Sequence, residues 1–277
     1  MDGTLVSSNH DISKANKKAI RDARNAGHIV MICSERPHDT LTITLNEEGL
    51  GDLPISGSNG AATLVAGNMI HRASMNPKSA KQLYDWLDEH EYPFKIYTDQ
   101  GIYGPETFFQ RAKHELTAHP PVNKPHFSDL ATMEEYTNKF PVTYTKAFTD
   151  IPKNAEIFKF FMMTPSMDKK ATAKEFARGV GGLTVTSSFE DNVELSDATA
   201  HKGTGLTAVA KHFNIPMEDT VAMGDNYNDS GMLEAAGLAI AMENSEDGIK
   251  KISDVVTLTN DEDGVAHAIN KYVLDQE

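Results

Sequence analysis

Short apolar runs alternate with helical stretches through the last third of the chain, and this rhythm restricts the fold more than any other feature. Residues 203–213 (GTGLTAVAKHF) set Leu206, Val209, Ala210 and Phe213 at helical spacing, and TVAMG (220–224) then reads as a strand. DSGMLEAAG predicts a short helix ending at Gly237, and LAIAM (238–242) a second strand. Ser245 starts another short helix, VVTL (255–258) is a third strand, and 262–274 a final amphipathic helix. Strands that alternate with helices build a parallel sheet covered on both faces, so the expected fold class is α/β. Ligands of such sheets sit at the carboxyl ends of the strands.

The amino-terminal part obeys the same grammar. Ser13 is a helix N-cap, Ala15, Ala19, Ala23 and Ala26 form a stripe with Ile20 beside it, and Gly27 stops the helix. HIVMIC (28–33) reads as a buried strand. The middle of the chain departs from this. Pro77 opens a helix with Leu83, Trp86 and Leu87 on one side, and FKIYT (94–98) and GIYG (101–104) read as strands across a turn. EIFKFFMMT (156–164) is a strand, 168–178 a helix and LTVTSS (183–188) a strand, while 105–155 yields no pattern. Hairpin-like strands mixed with helices predict an inserted α+β module at 77–187, leaving 1–76 and 188–277 as the core.

Composition excludes several classes. There are 26 Lys+Arg against 40 Asp+Glu, a net charge of −14, which argues against nucleic acid or an anionic membrane as partner. No apolar run reaches the ~20 residues needed to span a bilayer. The single cysteine, Cys33, rules out an internal disulfide framework and a cysteine zinc site, and fits a cytoplasmic location. The eleven histidines show no HxxH spacing, so a histidine metal site is not expected.

Five short segments carry possible chemistry. GDNYND (224–229) follows a strand and precedes a helix, so Asp225 sits at a strand end with Asp229 one turn further on. Two carboxylates with Asn228 suit a hard cation such as Mg²⁺; the same residues also read as a polar turn with a helix cap. MDGTL (1–5) holds a turn signal with an aspartate. SERP (34–37) follows the strand ending at Cys33, where a hydroxyl and free N–H groups can hold a phosphate. Lys202 precedes a helix and can offset a dianion, and SNGA (58–61) is a turn.

Taken in order, DGTL, a strand ending in Ser, Lys and GDxxND resemble the motif series of the haloacid dehalogenase (HAD) superfamily of phosphohydrolases. NGA (59–61), AMGDNYNDSGML (222–233), AIAMENS (239–245) and TNDEDGVA (259–266) are similar to its Cof-type branch. The resemblance implies a Rossmann-like parallel-sheet core with an inserted α+β cap that excludes water and reads the leaving group. It implies a Mg²⁺-dependent phosphatase of small phosphomonoesters, such as sugar phosphates, working through an aspartyl-phosphate. Asp2 would be the general acid/base, with its carbonyl on the metal. Ser34 and Lys202 would hold the transferring group, Glu35, Arg36, Asn59 and Asn228 would contact substrate, and Asp225 and Asp229 would bind Mg²⁺.

Two departures stand out. The family's nucleophile is the first aspartate of D-x-D, and here Met1 occupies x. The resemblance therefore puts the nucleophile one position before Met1, on a central strand whose loss would leave a gap and unpaired backbone groups. Because every later motif is intact, the expectation is an upstream strand ending in Asp. The alternatives are a non-catalytic phosphometabolite-binding protein and a phosphomutase of the same superfamily. Second, Glu35 stands where the Cof-type pattern has Gly, which adds a carboxylate beside the phosphate site.

Overall fold

Ser13 opens the first helix. In the computed structural model, which describes residues 1–120, 130–187 and 191–275, its side chain accepts the Asn16 N–H at 3.0 Å and starts α1 (Lys14–Asn25). Ala19, Ile20 and Ala23 are buried as the stripe predicts, but Ala15 and Ala26 are exposed. Asn16 lies on the buried face instead. It donates to the Leu5 carbonyl at 3.4 Å and accepts the Ala266 N–H at 2.9 Å, tying the helix to both ends of the chain.

Next comes β1 (Ile32–Cys33), two residues where six were expected; His28 and Ile29 are exposed. After it come α2 (His38–Glu47), β2 (Ile55–Gly57), β3 (Ala62–Val65) and β4 (Asn68–Arg72). The sheet order is β1-β2-β3-β4, with β1 and β2 parallel and the β2–β3 and β3–β4 pairs antiparallel.

Residues 73–200 form a separate unit. It holds α3 (Pro77–Glu89), β5 (Phe94–Thr98), β6 (Gly101–Pro105), α4 (Phe108–Ala118), α5 (Leu130–Lys139), β7 (Val142–Thr145), β8 (Ile157–Met163), α6 (Met167–Val180), β9 (Leu183–Thr186) and β10 (Asn192–Asp197). Its six-stranded sheet runs β7-β6-β5-β8-β10-β9. Alternation along the strands buries Phe94, Ile96, Phe160, Met162, Val193 and Leu195 in one cluster with Leu83 and Leu87 of α3 and Ala173 and Ala177 of α6.

The predicted insert boundaries need correction. The unit begins at Ala73 and extends to Ala200, not 187, because β10 pairs with both β8 and β9. Its residues NVELSD carry only two apolar side chains, too few to read as a buried strand. The stretch 105–155, unreadable by pattern, holds α4, α5 and β7 among its described residues. Ser188, the end of one predicted strand, lies outside the described residues.

The chain then returns to the first unit, Met1–Arg72 with His201–Glu277. Here lie α7 (Lys202–His212), β11 (Val221–Gly224), α8 (Ser230–Ala235), β12 (Leu238–Ala241), α9 (Asp247–Ile252), β13 (Val255–Val256) and α10 (Gly264–Tyr272). The three strands are parallel, in the order β11-β12-β13. The α/β reading with parallel strands therefore holds.

The mixed sheet and the parallel sheet of this unit each end on a strand that faces the same space. β1 is the end strand of one and β11 of the other. Between them is a cavity of about 490 Å³, lined by residues 27–33 on one side and 219–223 on the other. Ile20 and Ala23 of α1, Val265 and Ile269 of α10, and Leu206 and Val209 of α7 complete its walls. β1 is short because β2 begins only at Ile55, opposite Ile32; among the described residues, 28–31 pair with no strand and line the cavity. Unpaired edges exchange quickly. The His28 N–H donates to the Ala23 carbonyl at 3.0 Å, so we expect the amides of 29–31 to exchange with deuterium orders of magnitude faster than those of β8, whose seven residues are all buried. Equal protection of the two segments would show that the β1 edge is paired.

Candidate active site

The residues singled out from the sequence all belong to the first unit and gather at the carboxyl ends of its strands. Ser34 follows β1. Its N–H donates to the Ser56 carbonyl at 2.9 Å, its hydroxyl accepts the Arg36 N–H at 3.1 Å, and its carbonyl accepts the Asn59 N–H at 3.0 Å. The Ser58 N–H donates to the Arg36 carbonyl at 2.9 Å, so the loops after β1 and β2 are laced together. Ser58 and Asn59 both take positive φ (50° and 55°), a conformation that costs energy outside glycine and holds the turn tight. Gly60, with φ of 96°, has no such choice: a Cβ there would overlap the His201 carbonyl just before α7.

Lys202 and Asp229 meet behind these loops. Their charged atoms are 2.5 Å apart, and the two side chains are 4% and 2% exposed. The second Asp229 oxygen accepts the N–H groups of Asp225 and Asn226 at 2.9 and 3.0 Å. Burial opposes the charge on both partners, yet each outweighs it for the other: Lys202 is held above its ordinary range and Asp229 below. The expectation gave Asp229 to a metal. In this structure its two oxygens face Lys202 and the backbone N–H groups of the 225–226 turn.

Asp225 is the carboxylate at the end of β11. Thr4 Oγ1 donates to its Oδ1 at 2.5 Å, and its Oδ2 lies so close to Gly3 that a Cβ there would overlap it. Gly3 also has φ of 73°. Burial pushes the Asp225 pKa up, the Thr4 hydroxyl partly offsets this, and the Asp229 charge adds to the rise. A carboxylate held in this way gains most from a cation beside it.

Asp2 is turned elsewhere. Arg36 grips it with both Nε, at 3.0 Å, and a terminal guanidinium nitrogen. Burial would raise the Asp2 pKa, but Arg36 and the Met1 ammonium outweigh it and hold the carboxyl below its usual range. The last group is polar: Asn228 Nδ2 lies 3.3 Å from Asn59 Oδ1 and 3.5 Å from Glu35 Oε2. Two contributors were missed by sequence reading. Thr4 sits beside Asp225, and Asn244, after β12, donates to the Gly3 carbonyl at 2.8 Å. Asn244 lies in the AIAMENS motif and follows a strand, and these were the signals for it.

The comparisons with known proteins agree with this geometry. Residues 1–269 match the family model of haloacid dehalogenase-like hydrolases. This chain belongs to that family. It is 33% identical to phosphatase YwpJ of Bacillus subtilis, over 99% of this chain and 98% of that protein. It is 32% identical to the B. subtilis 5-amino-6-(5-phospho-D-ribitylamino)uracil phosphatase YwtE, over 100% and 97%. A solved haloacid dehalogenase-like hydrolase from B. subtilis superposes with a TM-score of 0.79 at 32% identity, covering 98% of this chain and 96% of that one.

As a member of the haloacid dehalogenase-like hydrolases, the protein is an enzyme of the phosphoric monoester hydrolase class. Among the described residues, no helix is long and apolar enough to cross a membrane.

The buried pair makes a stability prediction. Removing one partner strands the other charge, so Lys202→Met should cost about 3–5 kcal/mol in urea unfolding. Adding Asp229→Asn should recover part of that loss. Because the folded Asp229 pKa is depressed, its stabilisation is complete above the unfolded carboxylate value of about 3.9 and is lost as pH falls through the lower folded value. A Lys202→Met variant as stable as the parent would remove the pair from its structural role.

Proposed function

We propose that the protein hydrolyses a small cytoplasmic phosphomonoester, such as a sugar phosphate, through an aspartyl-phosphate. The observation that carries this reading is the Lys202–Asp229 pair. It sets a buried ammonium and the Asp225 turn against the Ser34–Asn59 loops, in a family of phosphoric monoester hydrolases. In this reading Ser34, Asn59, Asn228 and Lys202 hold the phosphoryl group, and positioning with charge offset does most of the catalytic work.

The nucleophile of the reading is an aspartate directly before Met1, carried by a strand in the cavity between β1 and β11. The cavity suits it: two parallel edges flank it and apolar helix residues cover it. That carboxylate attacks phosphorus and the ester oxygen leaves. Asp2 gives the leaving oxygen a proton, then takes one from the water that cleaves the aspartyl-phosphate and releases inorganic phosphate. A general acid must hold a proton, and Arg36 works against that at Asp2. A substrate phosphate that draws Arg36 to itself would relieve this, so binding and proton donation are coupled.

Magnesium is the cofactor of this reading, and the donor set fits it. Mg²⁺ takes oxygen ligands, keeps several waters and needs only one or two carboxylates beside a substrate phosphate. Asp225 would supply the carboxylate and Asp2 its main-chain carbonyl. Among the described residues no three His, Cys, Asp or Glu side chains converge on one point, so a dedicated protein cage is absent there. When bound, the cation would neutralise charge on the transferring oxygens.

Two experiments test this. The protein extended upstream of Met1 by an in-frame apolar strand ending in Asp should hydrolyse p-nitrophenyl phosphate with Mg²⁺, and residues 1–277 alone should not. Turnover by the 277 residues alone would sink the nucleophile assignment. An inert extended protein that still binds phosphate would favour the phosphometabolite-binding alternative, and isomerisation of a sugar phosphate without phosphate release would favour the phosphomutase. For the metal, Mg²⁺ should raise the thermal midpoint of the parent but not of Asp225→Asn. Because the folded Asp225 pKa is raised, its ionisation costs stability above the unfolded value, so the variant should be the more stable protein at pH 7 without Mg²⁺. An unchanged Mg²⁺ shift in the variant would overturn the ligand role.

A further inference from the structure

Helix α7 has a second face. Lys202, Leu206, Val209 and Ala210 are buried, whereas Thr204, Thr207, Ala208 and Lys211 follow the i, i+3, i+4, i+7 spacing of a different stripe. That stripe lines a cavity of about 590 Å³, bounded by Ile70 and His71 of β4, Ala235 of α8 and His201, the residue before the helix. The candidate active site uses none of these side chains.

The charge of this groove is unlike that of the chain. In a protein of net charge −14, its lining holds His71, His201, Lys211 and His212 and no carboxylate. Helix side chains lean toward the N-terminus, so those of Lys211 and His212 lean up the groove toward His201. Among the described residues Lys211 makes no ion pair. The threonine hydroxyls are spent on the helix itself: Thr204 Oγ1 donates to the His201 carbonyl at 2.6 Å and Thr207 Oγ1 to the Gly203 carbonyl at 2.8 Å. The donors left over belong to the imidazoles and to Lys211.

The two imidazoles at the head of the groove are placed but not satisfied. His201 lies against Gly203 and Gly231, where a Cβ would meet its Nδ1 at 3.0 and 3.1 Å. His71 Nε2 is buried and has no hydrogen-bond partner among the described residues. Burial lowers the His71 pKa, and the neighbouring His201 adds to this. The charged groups that face His71 in the groove are His201, Lys211 and His212. Ile70 and Ala235 are apolar, and β3, which pairs His71 with Thr63, carries no charged residue. An anion among these groups would accept from the orphaned nitrogen and offset the repulsion between the imidazoles.

We infer that the groove is a second anion site, which takes a phosphate-type dianion between His71, His201 and Lys211. The bound anion favours the imidazolium forms, so its affinity rises as pH falls through the ordinary histidine value of about 6.5. None of these side chains belongs to the phosphatase reading.

The histidine ring resonances of residues 1–277 test this. Inorganic phosphate is titrated at about pH 6 and about pH 8, with ionic strength held constant by NaCl. The His71 and His201 rings should shift together and saturate with a Kd on the order of 1 mM at the lower pH, and about tenfold weaker at the higher. Lys211→Gln, on the exposed face of α7, should weaken binding about fivefold, and His71→Gln, followed at His201, about tenfold. Phosphate held at the candidate active site would not depend on Lys211. A His71 ring that does not move, or affinities unchanged in both variants at matched thermal midpoints, overturns the site. So do the same shifts produced by NaCl alone, which are screening, or rings that respond to Zn²⁺ and not to phosphate, which assign the imidazoles to a cation.

Discussion

Lys202 and Asp229 are both almost wholly removed from water, and either alone would be costly there. Together they organise the rest of the site. Asp229 spends one oxygen on Lys202 and the other on two backbone N–H groups of the turn that carries Asp225. The start of α7 and the end of β11 are thereby fixed to each other by charge, beside the apolar cluster that holds Leu206 and Ala222. The close approach of Gly60 to His201 then brings the turn after β2 against the same helix start. Three segments that are distant in sequence hold their places through these few contacts.

How much of this was legible depended on how local the signal was. The βα rhythm of the last third is a local pattern, and β11, β12, α7 and α10 lie within a few residues of their predicted positions. Helix α1 was readable for the same reason, through Ser13 and the Ala19–Ile20–Ala23 face. Where packing decides, pattern failed. Asn16 is polar but buried because two backbone groups far away in sequence need it. β10 has too few apolar residues to announce itself, and its place comes from two antiparallel neighbours. The site showed the same division. Ser34 follows β1, Asp225 ends β11 and Lys202 opens α7, positions that local pattern indicates, while the partners of Asp229 and Asp2, Lys202 and Arg36, are linked to them by no spacing rule.

The apolar run at 28–33 joins both lessons. Its composition is that of a strand buried on all sides, yet only Ile32 and Cys33 are paired, and only to β2. A parallel strand normally has two neighbours in the interior of a sheet, and the apolar side chains around the cavity are those of an interior. Among the described residues, β1 is the end strand of one sheet and β11 of another.

The electrostatics of the site bear the same mark. At Asp225 burial works against the charge and the net shift is upward, although the Thr4 hydroxyl, the Met1 ammonium and Lys202 each favour it. Asp2 has the opposite condition, over-supported by Arg36. A phosphoester entering such a site would rearrange both at once. Its oxygens compete with Asp2 for Arg36, which lets Asp2 recover a proton. The dianion also strengthens the hold of a cation at Asp225. In the proposed reading, binding of the phosphate would therefore free Asp2 from Arg36, the one guanidinium that holds it in the resting site.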